Sequence, residues 1–339
     1  MTFLYDLREL NGKKGFVFAP FHVSEEHPII LFEASDEILD ENGHLFPLPL
    51  LPSTFKAPLF EEQSTYAPVP ESYARRFQRF SDALRAGMFE KLVLSRAESM
   101  SCREDFFFPD LFYDTSILYA NSYIYTFYIP GRMLWAGATP EVLLSSKDGN
   151  VWNTVALAGT QSLCAGGELP LKWDEKNRQE QAYVADYIRK QLSSLGIRAE
   201  ESEPYAVRAG ALSHLKTDFH FTLADKEHLG DLIKTLYPTP AVCGLPKEEA
   251  YRFIVENEGY DRSYYSGIVG WLDPNGQTDL YVNLRCAEVH TLADKSLGAT
   301  LYAGGGLLAS SNLDDEWLET EKKMQTMRRV VGSTGDTKR

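Results

Sequence analysis

Apolar residues return at Tyr73, Phe77, Phe80 and Leu84, in steps of 4, 3 and 4. That spacing draws one buried stripe on a helix that starts near Ser72 and stops near Gly87. A second helix is predicted from Asp174 to Leu195, with Val184, Ile188 and Leu192 on one face. Leu229, Leu232, Ile233 and Leu236 mark a third, and Pro246 with Glu248 and Glu249 suits the first turn of a fourth. A last helix carries an apolar stripe of Leu313, Trp317, Met324, Met327 and Val331. Short apolar runs predict strands at Pro28–Phe32, Lys91–Arg96, Tyr123–Ile129, Met133–Ala136, Val151–Leu157, Ala211–Phe221 and Thr300–Ala303. Leu280–Val289 alternates, with Leu280, Val282, Leu284 and Cys286 on one side and Tyr281, Asn283 and Arg285 on the other. The Pro-rich stretch 46–70 reads as a loop, and Asp273-Pro274-Asn275-Gly276 as a turn between strands. Strands come in groups separated by helices, not as a βαβ series, which predicts an α+β fold with large antiparallel sheets.

Polar residues interrupt this pattern at two places. Glu180 falls on the stripe of the second helix, one turn before Val184. It is either at the solvent edge of that stripe or buried, and a buried carboxylate must be paired or bound to metal. Glu316, Glu319 and Lys323 share a face of the last helix, just after Gly304-Gly305-Gly306. Bare backbone beside a carboxylate pair suits an anionic ligand held with a hard cation. Acids favoured at a helix N-terminus and a surface Glu–Lys pair would give the same letters.

The 339 residues hold enough chain for a sizeable core, and 44% hydrophobic with 24% charged residues is ordinary for a globular protein. A net charge of −14 argues against general nucleic-acid or anionic-membrane binding, which needs a basic footprint. An acidic substrate therefore has to be drawn in locally. Cys102, Cys164, Cys243 and Cys286 form no CxxC pair and have no histidine cluster, so buried free thiols in a reducing cytoplasm are expected. Residues 1–14 lack the apolar core of a signal peptide, and no run approaches the length of a membrane span.

Six motifs follow one another in order. They are Lys91-Leu92-Val93-Leu94-Ser95-Arg96, Thr139-Pro140-Glu141, Ala156-Leu157-Ala158-Gly159-Thr160, the 236–246 segment Leu-Tyr-Pro-Thr-Pro-Ala-Val-Cys-Gly-Leu-Pro, Asp261-Arg262 before Ser266-Gly267-Ile268-Val269-Gly270-Trp271, and Leu284-Arg285-Cys286-Ala287. Together with the C-terminal glycines and acidic helix they make the chain resemble the chorismate-utilising enzymes over roughly residues 70–330. Within that family it is most similar to the isochorismate synthases.

The resemblance implies two stacked, largely antiparallel sheets flanked by helices in a single large domain. Residues 1–70 would be a variable strand-rich part and 71–333 the catalytic core. It implies magnesium held by Glu180 and Glu319, with Glu316 assisting through water, and chorismate as substrate with no obligatory protein partner. Lys91 would take a proton from water attacking C2, and Glu141 would protonate the departing C4 hydroxyl. A lysine that accepts a proton must be neutral, a form that burial favours. His214 matches an active-site histidine of the family; a hydrogen-bonded core histidine is the other reading. Arg285, Gly304 and Lys323 match substrate contacts, and Ala158, Gly159, Thr160, Thr239, Tyr265 and Ala303 complete the expected substrate surround. Without the resemblance, Arg285 is simply the solvent face of a strand. Aminodeoxychorismate synthases usually place a nucleophilic lysine where Ala158 stands, and alanine leaves room for water or ammonia. Gln181 stands where histidine commonly follows the metal-binding Glu, Ser263 where glycine is common, and Gln161 where a basic residue is frequent. A salicylate synthase, an amine-transferring subunit and a chorismate-binding sensor are the rival readings.

Overall fold

The computed structural model describes residues 1–33, 67–104, 106–164, 168–209, 212–292 and 296–332. The Pro-rich stretch expected at 46–70 lies mostly outside them, and only 67–70 is described, without regular structure. In chain order the chain forms β1 (Thr2–Leu4), β2 (Gly15–Ala19), β3 (Ile29–Phe32), α1 (Glu71–Arg85), β4 (Lys91–Ser101) and α2 (Phe108–Leu118). It continues through β5 (Tyr123–Ile129), β6 (Met133–Thr139), β7 (Val142–Ser146), β8 (Val151–Ser162) and α3 (Glu175–Ser194). Next come β9 (Glu200–Glu201), β10 (Tyr205–Ala209), β11 (Leu212–Thr222), α4 (Leu229–Leu236), β12 (Gly244–Leu245) and α5 (Lys247–Asn257). The last are β13 (Ile268–Leu272), β14 (Thr278–Val282), β15 (Cys286–Thr291), β16 (Leu297–Leu307) and α6 (Leu313–Val331).

Two antiparallel sheets result. One runs β1-β3-β2-β13-β14-β7-β8-β11-β10, with β9 also on β11; the other runs β12-β4-β16-β15-β6-β5. Aromatic side chains fill the space between them: Phe18 and Val269 from the larger sheet meet Tyr125, Trp135 and Tyr302 from the smaller. Phe18 lies 5.6 Å from Trp135 between ring centroids, and Trp135 stacks on Tyr302 at 5.5 Å. Helices cover the outer faces. Val184, Ile188 and Leu192 of α3 join Leu232 and Ile233 of α4 on the larger sheet, and Met324, Met327 and Val331 of α6 pack on the smaller. The α+β fold with two stacked sheets is as the resemblance implies.

The chain crosses between the sheets at two places that matter for the site. After β6 of the smaller sheet, Pro140-Glu141 leads into β7 of the larger. After β14 of the larger sheet, Asn283-Leu284-Arg285 leads into β15 of the smaller. The two crossings are tied together: Val282 N–H donates to the Glu141 carbonyl at 2.9 Å and Ala138 N–H to the Arg285 carbonyl at 3.0 Å. The expected continuous strand Leu280–Val289 is therefore wrong. It breaks at Arg285, whose φ of 49° lies in the left-handed region, and its two halves belong to different sheets. Arg285 is buried, not on a solvent face.

A second correction concerns Gly304-Gly305-Gly306. The strand expected at Thr300–Ala303 does not stop before them. They are the end of β16, paired with Ser95, Leu94 and Val93 of β4. The cysteines are all free, but only Cys243 and Cys286 are buried; Cys164 is exposed.

Candidate active site

A cavity between the sheets is lined by Glu141, Ala158, Gly159, Thr160, Glu180, His214, Tyr265, Arg285, Gly304 and Lys323. Ten of the residues singled out from sequence thus meet around one space, brought there by three strands, both crossings, two helices and the loop before β13. The bulge in β8 forms part of the wall: the register with β11 shifts so that Gly159 is the extra residue, with φ of 72°. A side chain there would meet the Asn177 carbonyl at 2.8 Å. From α3, Asn177 Oδ1 accepts the Thr160 N–H at 2.8 Å. Gln181 Oε1 accepts the Ala158 N–H at 2.9 Å while its Nε2 donates to the Ala156 carbonyl at 3.0 Å. One amide thus satisfies two backbone groups of the same strand. The signal for Asn177 and Gln181 was present in the sequence: they flank Glu180 at a spacing of four.

Glu141 is buried, and burial pushes its carboxyl up to about 7 against the pull of Lys91 and Lys323. Thr239 Oγ1 lies 3.5 Å from Glu141 Oε1, so Thr239 touches the acid without lining the cavity. Ala303 does not face the cavity either; it packs with Met324 and Met327 under α6.

His214 is held down to about 3 by burial, then by Arg285 and Lys323. Its Nδ1 lies 3.1 Å from the Gly159 carbonyl, which only accepts, so Nδ1 carries the proton. Nε2 is then an acceptor, 3.4 Å from Arg285 Nη2. The imidazole orients the guanidinium. Arg285 forms no ion pair with a carboxylate among the described residues, and burial lowers its pKa.

Lys91 is completely buried behind the lining, with Nζ 3.0 Å from Glu180 Oε1. The approach is off the hydrogen-bonding direction, so the ion pair leaves its N–H donors unspent. Lys323 Nζ donates to Glu319 Oε1 at 2.6 Å and to the Gly304 carbonyl at 2.8 Å. Glu316 Oε1 accepts from Lys176 Nζ and from Ser311 Oγ, both at 2.7 Å. Each carboxylate expected to hold metal is thus turned toward its own lysine. No three His, Cys, Asp or Glu side chains among the described residues converge as a metal cage. The donor set nevertheless fits a hard cation. Glu316 Oε2 is buried without a partner, and its carboxyl is held up at about 7 by burial, with Lys176 opposing and Glu319 adding to the rise. Glu319 goes the other way: Lys323 and Lys176 outweigh its burial and hold it at about 2.

The three glycines make room for these groups. A Cβ on Gly306 would lie 2.1 Å from Glu180 Oε1 and 2.8 Å from Lys91 Cε. On Gly305 it would lie 2.8 Å from Glu316 Oε2, and on Gly304 3.0 Å from the Tyr265 hydroxyl.

Residues 50–332 match the family model described as chorismate binding enzyme. The chain belongs to that family. It is 31% identical over 285 residues to the vibriobactin-specific isochorismate synthase of Vibrio cholerae, covering 78% of this chain and 68% of that one. It is 32% identical over 282 residues to the isochorismate synthase DhbC of Bacillus subtilis, covering 78% and 69%. The solved structure of MenF, the menaquinone-specific isochorismate synthase of Escherichia coli, superposes with a TM-score of 0.65 at 26% identity, covering 78% of this chain and 61% of that one. No described helix is long and apolar enough to cross a membrane.

Proposed function

We propose that this chorismate-binding enzyme is a magnesium-dependent isochorismate synthase. The observation that carries the reading is a buried guanidinium without a carboxylate partner, Arg285, lining the same cavity as a carboxyl held near pKa 7, Glu141. The first calls for an anionic substrate and the second for proton donation to a leaving group.

Chorismate carries two carboxylates. Arg285, oriented by His214, takes one as a fork, and Lys323 adds a second positive donor. Glu180, Glu316 and Glu319 would hold magnesium, which supplies a positive anchor for the other carboxylate. Lys91 removes a proton from water as its oxygen bonds to C2. The ring double bonds shift, the C4–O bond breaks, and Glu141 delivers its proton to the departing hydroxyl. One water is consumed and one released, so the reaction is an isomerisation. Glu180 stabilises the ammonium formed on Lys91, and Ala158 leaves the nucleophile's approach open where a lysine would block it. The enzyme acts in the cytoplasm as a single polypeptide and feeds menaquinone or siderophore synthesis.

The test is NMR of the purified chain with chorismate and magnesium. Isochorismate in equilibrium with chorismate is expected. Pyruvate released in step with chorismate loss would assign a salicylate synthase, and an aminated product with added ammonia would assign the amine-transferring branch. Binding without any product would leave a sensor.

A further inference from the structure

Three lysines hold the three carboxylates, and they are not equivalent. Lys91 is wholly buried, and Lys323 is tied to the Gly304 carbonyl as well as to Glu319. Lys176 has one acid partner at hydrogen-bond distance, Glu316, and its side chain is 26% exposed. It sits one turn before Glu180 on α3, so both side chains share a face, and it reaches across to α6. Glu316, Glu180 and Glu319 all act electrostatically on its ammonium. The Glu316 oxygen that Lys176 does not hold is buried and without a partner.

We infer that Lys176 and the divalent cation bind Glu316 in alternation, so that Lys176 sets the affinity of the cation site. A second positive centre on Glu316 would stand against the ammonium at close range, and like charges there repel. Lys176 is the lysine that can yield. Its flexible stem opens to solvent, whereas its two counterparts are fixed. The cation is therefore admitted in exchange for the Lys176–Glu316 pair. This rests on the reading of Glu180, Glu316 and Glu319 as cation ligands.

The experiment is calorimetric titration of magnesium chloride into the full chain, into Lys176→Met and into Lys176→Gln. Lys322→Met, which alters an exposed contact to Ser162, is the control. Both Lys176 variants are expected to bind magnesium about tenfold tighter than the parent, within the ~5–150-fold span of coupled sites. The control is expected to match the parent. Thermal melts give a second readout. Lys176→Met should melt lower than the parent in EDTA, because Glu316 loses its partner, and magnesium should raise it more than it raises the parent. Unchanged or weaker magnesium binding in the variants, with binding intact in the parent, overturns the exchange and leaves the carboxylate reading standing. No magnesium binding in the parent or in either variant overturns both.

Discussion

Lys91 begins a strand, is fully buried and sits 3.0 Å from Glu180. If it takes the proton of the attacking water, Lys91→Ala should lower kcat by about 10²–10⁴-fold while chorismate still binds, since the carboxylate contacts lie on Arg285 and Lys323. Lys91→Arg should fail equally, because a guanidinium does not give up its proton. Steady-state rates with equilibrium binding check both, and a parent-like rate in Lys91→Ala would remove the assignment. Glu141 makes a prediction about pH. Its carboxyl holds its proton to about pH 7 in the folded state, against an ordinary value of 4.5. Between those values the folded chain binds the extra proton, so stability falls as pH rises from about 4.5 through 7. The full loss is on the order of 3 kcal/mol. Glu141→Gln should therefore unfold at higher denaturant than the parent at pH 8, with the gain shrinking toward pH 4.5. The same titration sets a falling limb near pH 7 in the parent's rate, and the variant should lose activity throughout. His214 is uncharged across this range and contributes no limb.

At the scale of elements, β16 shows how backbone makes room for a site. It continues past Leu301, where β15 stops pairing with it, and carries three glycines alongside β4. Gly306→Ala should displace Glu180 and Lys91 together, because its Cβ would overlap a carboxylate oxygen at 2.1 Å. The expected outcome is loss of at least about 10²-fold in rate, as for other small misplacements of catalytic groups, with near-parent circular dichroism. Gly87→Ala, whose Cβ would meet nothing within 4 Å, changes stability but leaves the site geometry alone. Ser263 is also explained at this scale. It stands where the family commonly has glycine, its φ is 52°, and Asp261 Oδ1 accepts its N–H at 2.7 Å. Helix α2 escaped the sequence reading, since Phe108–Leu118 begins with Phe-Pro and shows no clean 3.6-residue stripe.

For the whole molecule, a chain of net charge −14 must take in a dianion. With Glu141 protonated and Lys91 neutral, as the proposed acid and base must be, Lys176, Lys323 and Arg285 face Glu180, Glu316 and Glu319 around the site, so the formal charges cancel. A bound divalent cation would leave the site with two positive charges, the complement of chorismate. Removing it with EDTA should abolish turnover and weaken chorismate binding at least tenfold, both restored by magnesium. Turnover in EDTA equal to that with magnesium would show that the lysines and Arg285 suffice.

The amphipathic helices and most strands were legible because burial imposes a local period, 3.6 or 2 residues, that the chain itself carries. The six ordered motifs likewise marked Lys91, Glu141 and Arg285, and the resemblance they carry extended to Glu180, His214 and Lys323, before their neighbours were known. What local order could not carry was which sheet each strand joins. The break at Arg285 hides inside a perfect alternation, because either side of it is buried and only pairing with β7 or β6 separates the halves. Nor could it show that Ala303 turns from the cavity, or that Lys176, Lys91 and Lys323 each take one carboxylate. Those pairings join residues far apart in sequence, and their energy depends on burial that exists only once the two sheets close.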